Sequence, residues 1–361
     1  MGWQETYARR AAPVRAWAFA VAALIFAMVL VGGATRLTES GLSITQWKPI
    51  SGVIPPLSAA DWAAEFEAYK RIPQYAAMNA DMTLAGFQSI FWWEWAHRLL
   101  ARVIGLAFMV PALSFWQQGR LKGALGRRVA LATALLALEP IVGWWMVSSG
   151  LAERTEVAQE RLAIHLLIAA ATFGALLHAA IGAGAPREPG PARSYVAAAW
   201  AFAALVFAQL GLGALVAGLR AGRIYNEWPT MGGKFAPGEA FGLDPWWRSL
   251  IDDGATAQFD HRLIAYLVVA AALALAVSAA RGAPGTRFAR RALALAGLAL
   301  AQVALGIVTL LMVVPVPLGL AHQALALLLF GMAVAHASAT QRDGAVAALQ
   351  PASGAAVPLG A

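Results

Sequence analysis

The chain contains no cysteine among its 361 residues, and only 13% of it is Asp, Glu, Lys or Arg. The first absence excludes disulfides, cysteine-ligated zinc, iron–sulfur clusters, covalently attached haem and thiolate-ligated haem. Any metal chemistry must rest on carboxylates and on six histidines. The second is about half the charged fraction of a soluble domain. With 60% hydrophobic residues and a mean hydropathy of +0.62, it rules out a pair of ordinary soluble domains. Tyrosine is scarce beside tryptophan, 6 against 14, and Trp favours the membrane–water boundary. What is left is an all-α polytopic membrane protein.

Apolar stretches of about 20 residues can cross a bilayer as helices. Eight stand at 16–36, 94–115, 127–148, 162–182, 195–217, 260–280, 288–312 and 317–338. Arg10 and Arg15 precede the first, but no small-residue cleavage site follows it, so a retained span is expected rather than a signal peptide. In a soluble protein a net charge of +8 and a pI near 10.3 would suggest nucleic acid. Here the excess is placed in particular loops. Loop 116–128 carries Arg120, Lys122, Arg127 and Arg128 without an acid, and loop 281–291 carries Arg281, Arg287, Arg290 and Arg291 without one. Loop 38–92 instead has Glu39, Asp61, Glu65, Glu67 and Asp81 against three bases. The positive-inside rule puts both termini in the cytoplasm and the long loops outside, and no nucleic-acid partner is expected.

The expected organisation is a cytoplasmic N-terminus (1–15), a four-helix half (16–182) with its long outer loop, a cytoplasmic linker (183–194), a second four-helix half (195–338) and a disordered cytoplasmic tail (339–361). Segment 59–71 has helical spacing and is expected to lie along the membrane interface.

The halves repeat. Glu94-Trp95-Ala96-His97-Arg98-Leu99 corresponds to Gln258-Phe259-Asp260-His261-Arg262-Leu263, and His165 and His322 open the last span of each half. Four spans bring the chain back to the same side, so the halves are parallel copies, related by a pseudo-twofold axis along the membrane normal. His97, His165, His261 and His322 are expected at similar depth near the outer ends of even-numbered helices. A six-coordinate haem needs two imidazoles facing each other across its iron, and the sequence offers that pair twice, His97 with His165 and His261 with His322. The plainer alternative is hydrogen bonding between helices, which four histidines in register across a duplication make the weaker reading. His178 and His336 lie about 20 Å deeper along their helices and read as interfacial, not as ligands. Arg98, Arg102 and Arg262 are candidates for haem propionates. Glu94 shares a helix face with His97, and its duplicate, Gln258, has the shape without the charge, so the first half is expected to do chemistry and the second to hold a cofactor. Glu139 has its duplicate in Gln302, with no role evident.

Through GGATRLTESGLSITQWKPISGVIPP (32–56), FWWEWAHRLLARVIG (91–105), Val147-Ser148-Ser149-Gly150-Leu151, FDHRLIAY (259–266) and AHQ (321–323), the chain resembles the heme A synthase family from about Trp17 to His336. The resemblance implies oxidation of the C8 methyl of heme O, through a hydroxymethyl stage, to the formyl group of heme A for terminal oxidases. It implies a substrate haem in the half with Glu94, His97 and His165, and heme B as cofactor on His261 and His322. It also implies a place in the bacterial inner membrane, haem sites near the periplasmic face, and heme O synthase and oxidase assembly factors as partners besides membrane lipid; a homo-oligomer is left open. Many bacterial members carry paired cysteines in the first outer loop. This chain has none and resembles the branch shared with proteobacteria and mitochondria, whose first loop is longer. A diheme b-type electron-transfer cytochrome is the main alternative, and a repeat-built transporter a lesser one, since transporters place polar groups near the midplane.

Overall fold

The computed structural model describes residues 3–184 and 191–347, and the regular elements among them are all helical. Among the described residues, eight helices are long and apolar enough to cross a membrane. In chain order, the first to eighth spans are Trp3–Leu37, Leu84–Gln117, Gly123–Ala152, Gln159–Gly182, Arg193–Gly218, Gly254–Gly282, Arg287–Leu311 and Val316–Ala347. Alanine and leucine fill them, residues that lose little freedom in a helix. Polar caps set several starts: Thr83 accepts from Gly86 N, Asp253 from Ala255 N and Thr256 N, and Thr286 from Ala289 N.

The ends differ from the sequence expectation in three places. The second span begins at Leu84, because Phe87 and Phe91 continue the helix outward and are buried against the outer loop. The first helix begins at Trp3, well before 16. The tail expected to be disordered from 339 is instead helical to Ala347. Its polar residues are held: Thr340 and Asp343 are buried, Arg342 pairs with Asp343 at 2.7 Å, and Arg342 Nη1 donates to Ile181 O. Residues 185–190 of the expected linker and 348–361 of the tail lie outside the described residues.

The first outer loop folds over the second span. Helix Ala59–Tyr69 starts with a capping box between Ser58 and Asp61, and a short helix Pro73–Met78 follows. The Ser58 hydroxyl and backbone bonds hold the Asp61 carboxyl below its usual range. The helix buries Phe66 and Tyr69 with Leu42, Ile44, Phe87 and Phe91 in a small core of its own. Burial pushes the Tyr69 phenol up.

Within the first half, span 1 packs on 2 and 4, and span 3 on 4; within the second, span 5 packs on 6 and 8, and span 7 on 6 and 8. Between halves, span 4 meets 5 and 8, and span 1 meets 8. Exchanging each span for its counterpart keeps this set of contacts except at one place: spans 6 and 7 pack extensively, whereas their counterparts 2 and 3 barely touch. At the centre the exchange reaches single residues. Phe330 of span 8 fills the space beside Gly174 of span 4, where a Cβ would stand 3.1 Å from its ring, and Phe173 of span 4 does the same at Gly331, at 2.8 Å. Small residues that admit a neighbour this closely drive helix packing in membranes, where the hydrophobic effect does not.

Candidate functional site

His97, His165, His261 and His322 stand on spans 2, 4, 6 and 8, each partly buried. The last three lie in the second turn of their helices; His97 lies in the fourth turn, because span 2 extends outward beyond the expected start. Each ring rests on a glycine of the preceding span. A Cβ at Gly32 would stand 3.2 Å from the His97 ring; at Gly143, 3.2 Å from His165; at Gly213, 3.1 Å from His261; at Gly306, 2.8 Å from His322. One residue past Gly32, Gly33 makes room for Gln323 of span 8, whose Nε2 donates to Val29 O at 2.9 Å.

The rings of His261 and His322 have centroids 6.4 Å apart. Two iron–nitrogen bonds of about 2.0 Å, with each nitrogen about 1.1 Å from its ring centre, need about 6.2 Å. The pair therefore fits the axial ligands of one haem. No group of three or more His, Asp or Glu that could hold a bare metal ion occurs among the described residues. Pairs suit a porphyrin, which supplies the other four nitrogens itself.

Side chains from one turn before each glycine approach three of the rings. Gln209 Nε2 lies 2.8 Å from His261 O and 3.1 Å from its Nδ1; Gln302 Nε2 lies 3.1 Å from His322 O and 3.2 Å from its Nδ1. Glu139 Oε2 comes within 2.6 Å of His165 Nδ1, off the direction of the ring N–H. Gln209 had drawn no notice in the sequence. The signal was there, as Glu or Gln four residues before Gly in spans 3, 5 and 7.

Glu94 is buried and fully bonded. Its Oε2 accepts from Ser43 Oγ and Ile44 N, both at 2.8 Å, and its Oε1 from Arg98 Nη2 at 2.6 Å. Arg98 also donates to the carbonyls of Ile44 and Gln46. Gln258 and Arg262 repeat this on the second outer loop, both donating to Tyr225 O at 3.0 Å, and Arg262 donates again to Thr230 O. Arg102 donates to Lys48 O and Pro49 O. Arg102 Nη1 and Arg262 Nε remain buried without partners, donors that a carboxylate ligand would complete. Arg98 and Arg102 line a cavity of about 310 Å³ under the first outer loop, with Lys48, Phe91 and Trp95.

His178 and His336 stand apart from the four. His178 Nδ1 bonds Ser338 Oγ at 2.9 Å, and His336 Nε2 meets Tyr195 Oη at 3.0 Å while stacking on Phe288. His336 is 1% exposed, buried between helices rather than facing an interface. Also unforeseen is a charge network that ties the halves at their outer ends. Arg36 binds Glu156 at 2.6 Å, and Arg220 binds both Glu156 and Glu39.

Fold and site define a multi-span helical membrane protein with two duplicated histidine-bearing halves. Residues 15–334 match the family described as cytochrome oxidase assembly protein (COX15-CtaA), and the chain belongs to that family. It is similar to proteins named Heme A synthase from Beijerinckia indica, at 54% identity covering 93% of this chain and 95% of that protein, and from Rhodopseudomonas palustris, at 53% covering 91% of each. A Brucella ovis protein of the same name is 51% identical, covering 91% of this chain and 92% of its own length.

Proposed function

We infer that this protein makes heme A, oxidising the C8 methyl of heme O through a hydroxymethyl to a formyl group; each stage is a two-electron oxidation, and the first also adds an oxygen atom, from water or dioxygen. The observation that carries this reading is a histidine pair in both halves with a buried carboxylate beside only one of them. His97 and His165 hold the iron of the substrate heme O between spans 2 and 4. His261 and His322 hold heme B, which when bound supplies a redox centre for the electrons removed. Arg102 and Arg262, through their unpartnered nitrogens, and Arg98, beside Glu94, take the propionates. Glu94 serves the substrate half by accepting protons released near His97. A buried carboxylate close to the reacting group is suited to that work. The first outer loop closes this half from water by packing on span 2.

The charge pattern of the loops supports both termini in the cytoplasm of a bacterial inner membrane and haem sites near the periplasmic face. Heme O synthase and oxidase assembly factors are the protein partners this reading entails. The test is to extract haems from cells with and without the gene and separate heme B, heme O and heme A. Loss of heme A with accumulation of heme O is the expected result. Unchanged heme A would instead favour a diheme electron-transfer cytochrome, which the same paired histidines would serve.

A further inference from the structure

Four histidines rest on four glycines, but only three of them have a polar side chain set against the ring from the same helix as the glycine. The residue four positions before the glycine is Glu139 for His165, Gln209 for His261 and Gln302 for His322. A spacing of four puts it one helical turn from the glycine on the same face, where it reaches the ring nitrogen Nδ1. At the matching place before Gly32 stands Met28, whose side chain has no N–H or O–H to donate and only a weakly accepting sulfur. Among the described residues the His97 ring has neither a hydrogen-bond partner nor a carboxylate at ion-pair distance, whereas His165, also without a hydrogen bond at Nδ1, has the Glu139 carboxylate 2.6 Å away.

The rings differ accordingly. Measured to where a Cβ would stand on the glycine, His165, His261 and His322 each have Cε1 as the nearest ring atom, at 3.2, 3.1 and 2.8 Å. His97 turns Nε2 toward Gly32 at 3.2 Å, with Cδ2 next at 3.5 Å. Half a revolution about the Cβ–Cγ bond exchanges Nε2 with Cε1 and Cδ2 with Nδ1, so His97 stands in the reversed orientation. The two orientations have nearly the same shape, and only a polar partner at Nδ1 selects between them. The outer partner of a metal-bound imidazole ordinarily accepts its Nδ1–H and so fixes its orientation; Gln209 and Gln302 meet Nδ1 through Nε2, and each carries a buried Oε1 without a partner, the acceptor such a bond requires.

We infer that His97 is the exchangeable ligand of the first-half haem, with Glu139, Gln209 and Gln302 acting as positioning residues for the other three. The inference rests on the haem-ligand assignment above. It gives the two halves different coordination behaviour from one substitution in a repeated motif: a permanent pair in the second half, and in the first a pair that opens on the face of span 2, which also carries Glu94. With haem bound, His97 would be the side chain that yields its place to an external diatomic ligand, an exchange of ligands without electron transfer.

The test uses the full-length protein, purified with its haems, reduced and titrated with carbon monoxide while absorption is followed. Wild type is expected to bind CO at one of its haems. Met28→Gln, which restores the missing partner, is expected to weaken CO binding about fivefold, the worth of one hydrogen bond, at unchanged haem content. Gln209→Met, which removes a partner in the second half, is expected to add a second CO-binding phase. Wild type that binds no CO, or Met28→Gln with unaltered CO affinity and full haem content, overturns the proposal. If Met28→Gln does not fold, Gln209→Met decides, and absence of a new phase overturns it. Haem content of His97→Ala and His261→Ala tests the ligand assignment separately: if neither loses haem, that reading fails, whatever the CO result.

Discussion

Corresponding positions in the two halves fasten an outer loop to the start of a histidine-bearing helix, and they do so with different charge. In the first half Glu94 and Arg98 form an ion pair that also grips Ser43 and Ile44. In the second, Gln258 and Arg262 converge on the carbonyl of Tyr225, and Arg262 has no carboxylate within ion-pair distance among the described residues. The same mechanical task is met with a neutral pair in one half and a net positive charge in the other. A loop needs only the hydrogen bonds, so the extra carboxylate is not explained by anchoring, and the uncompensated guanidinium suits an anionic group of a bound cofactor.

The sharpest way to break this comparison is to remove ligands half by half. His261→Ala or His322→Ala should cost the protein about one haem per chain and leave the first-half spectrum in place. His97→Ala or His165→Ala should abolish heme A formation while the second-half haem stays, as pyridine haemochrome assay and haem extraction would reveal. Next in size, Glu94→Gln should keep haem content and lower heme A yield on the order of 100-fold, the scale of lost acid–base catalysis. If haem content and melting temperature collapse instead, Glu94 is an anchor only, and the contrast with Gln258 loses its chemical meaning.

A smaller effect is expected at the glycines. Gly306→Ala places a methyl 2.8 Å from His322 Cε1 and should cost about 1–3 kcal/mol of overpacking, read as faster haem loss from the second half. Gly297→Ala on the same helix meets nothing within 4 Å and should instead stabilise by about 0.5–1 kcal/mol, read in the melting temperature. The smallest effect concerns the first outer loop alone. The Asp61 carboxyl is held below its free value by Ser58, so its contribution is present above the unfolded pKa and fades as pH falls through the folded one. Protease nicking of 59–69 should rise below pH 4 in wild type and show less pH dependence in Asp61→Asn.

The spans, the repeat and the four histidines were legible because each depends on a pattern local in sequence: apolar length, loop charge and a recurring His-Arg-Leu. The outward extension of span 2 was not, since Phe87 and Phe91 sit among aromatic residues that read equally well as loop and become helical by packing on Phe66 and Tyr69. Glu94 was visible as a carboxylate on the face of His97, yet its partners Ser43 and Ile44 lie some fifty residues away and no spacing announces them. Glu139 and Gln302 were seen as a pair without a task. Their meaning required the rings they approach, and those rings come from the next helix.

Gly32 and Gly33 are neighbours in sequence and serve different halves, the first seating His97 and the second admitting Gln323, the residue after His322. Consecutive residues of a helix point about 100° apart, so one turn of span 1 forms a party wall between two rooms. A twist or slide of that single helix cannot adjust the seat of one ring without disturbing the neighbour of another. The two centres thus share a lever even where they share no ligand, and crowding at Gly33 would be felt first on the far side of the wall.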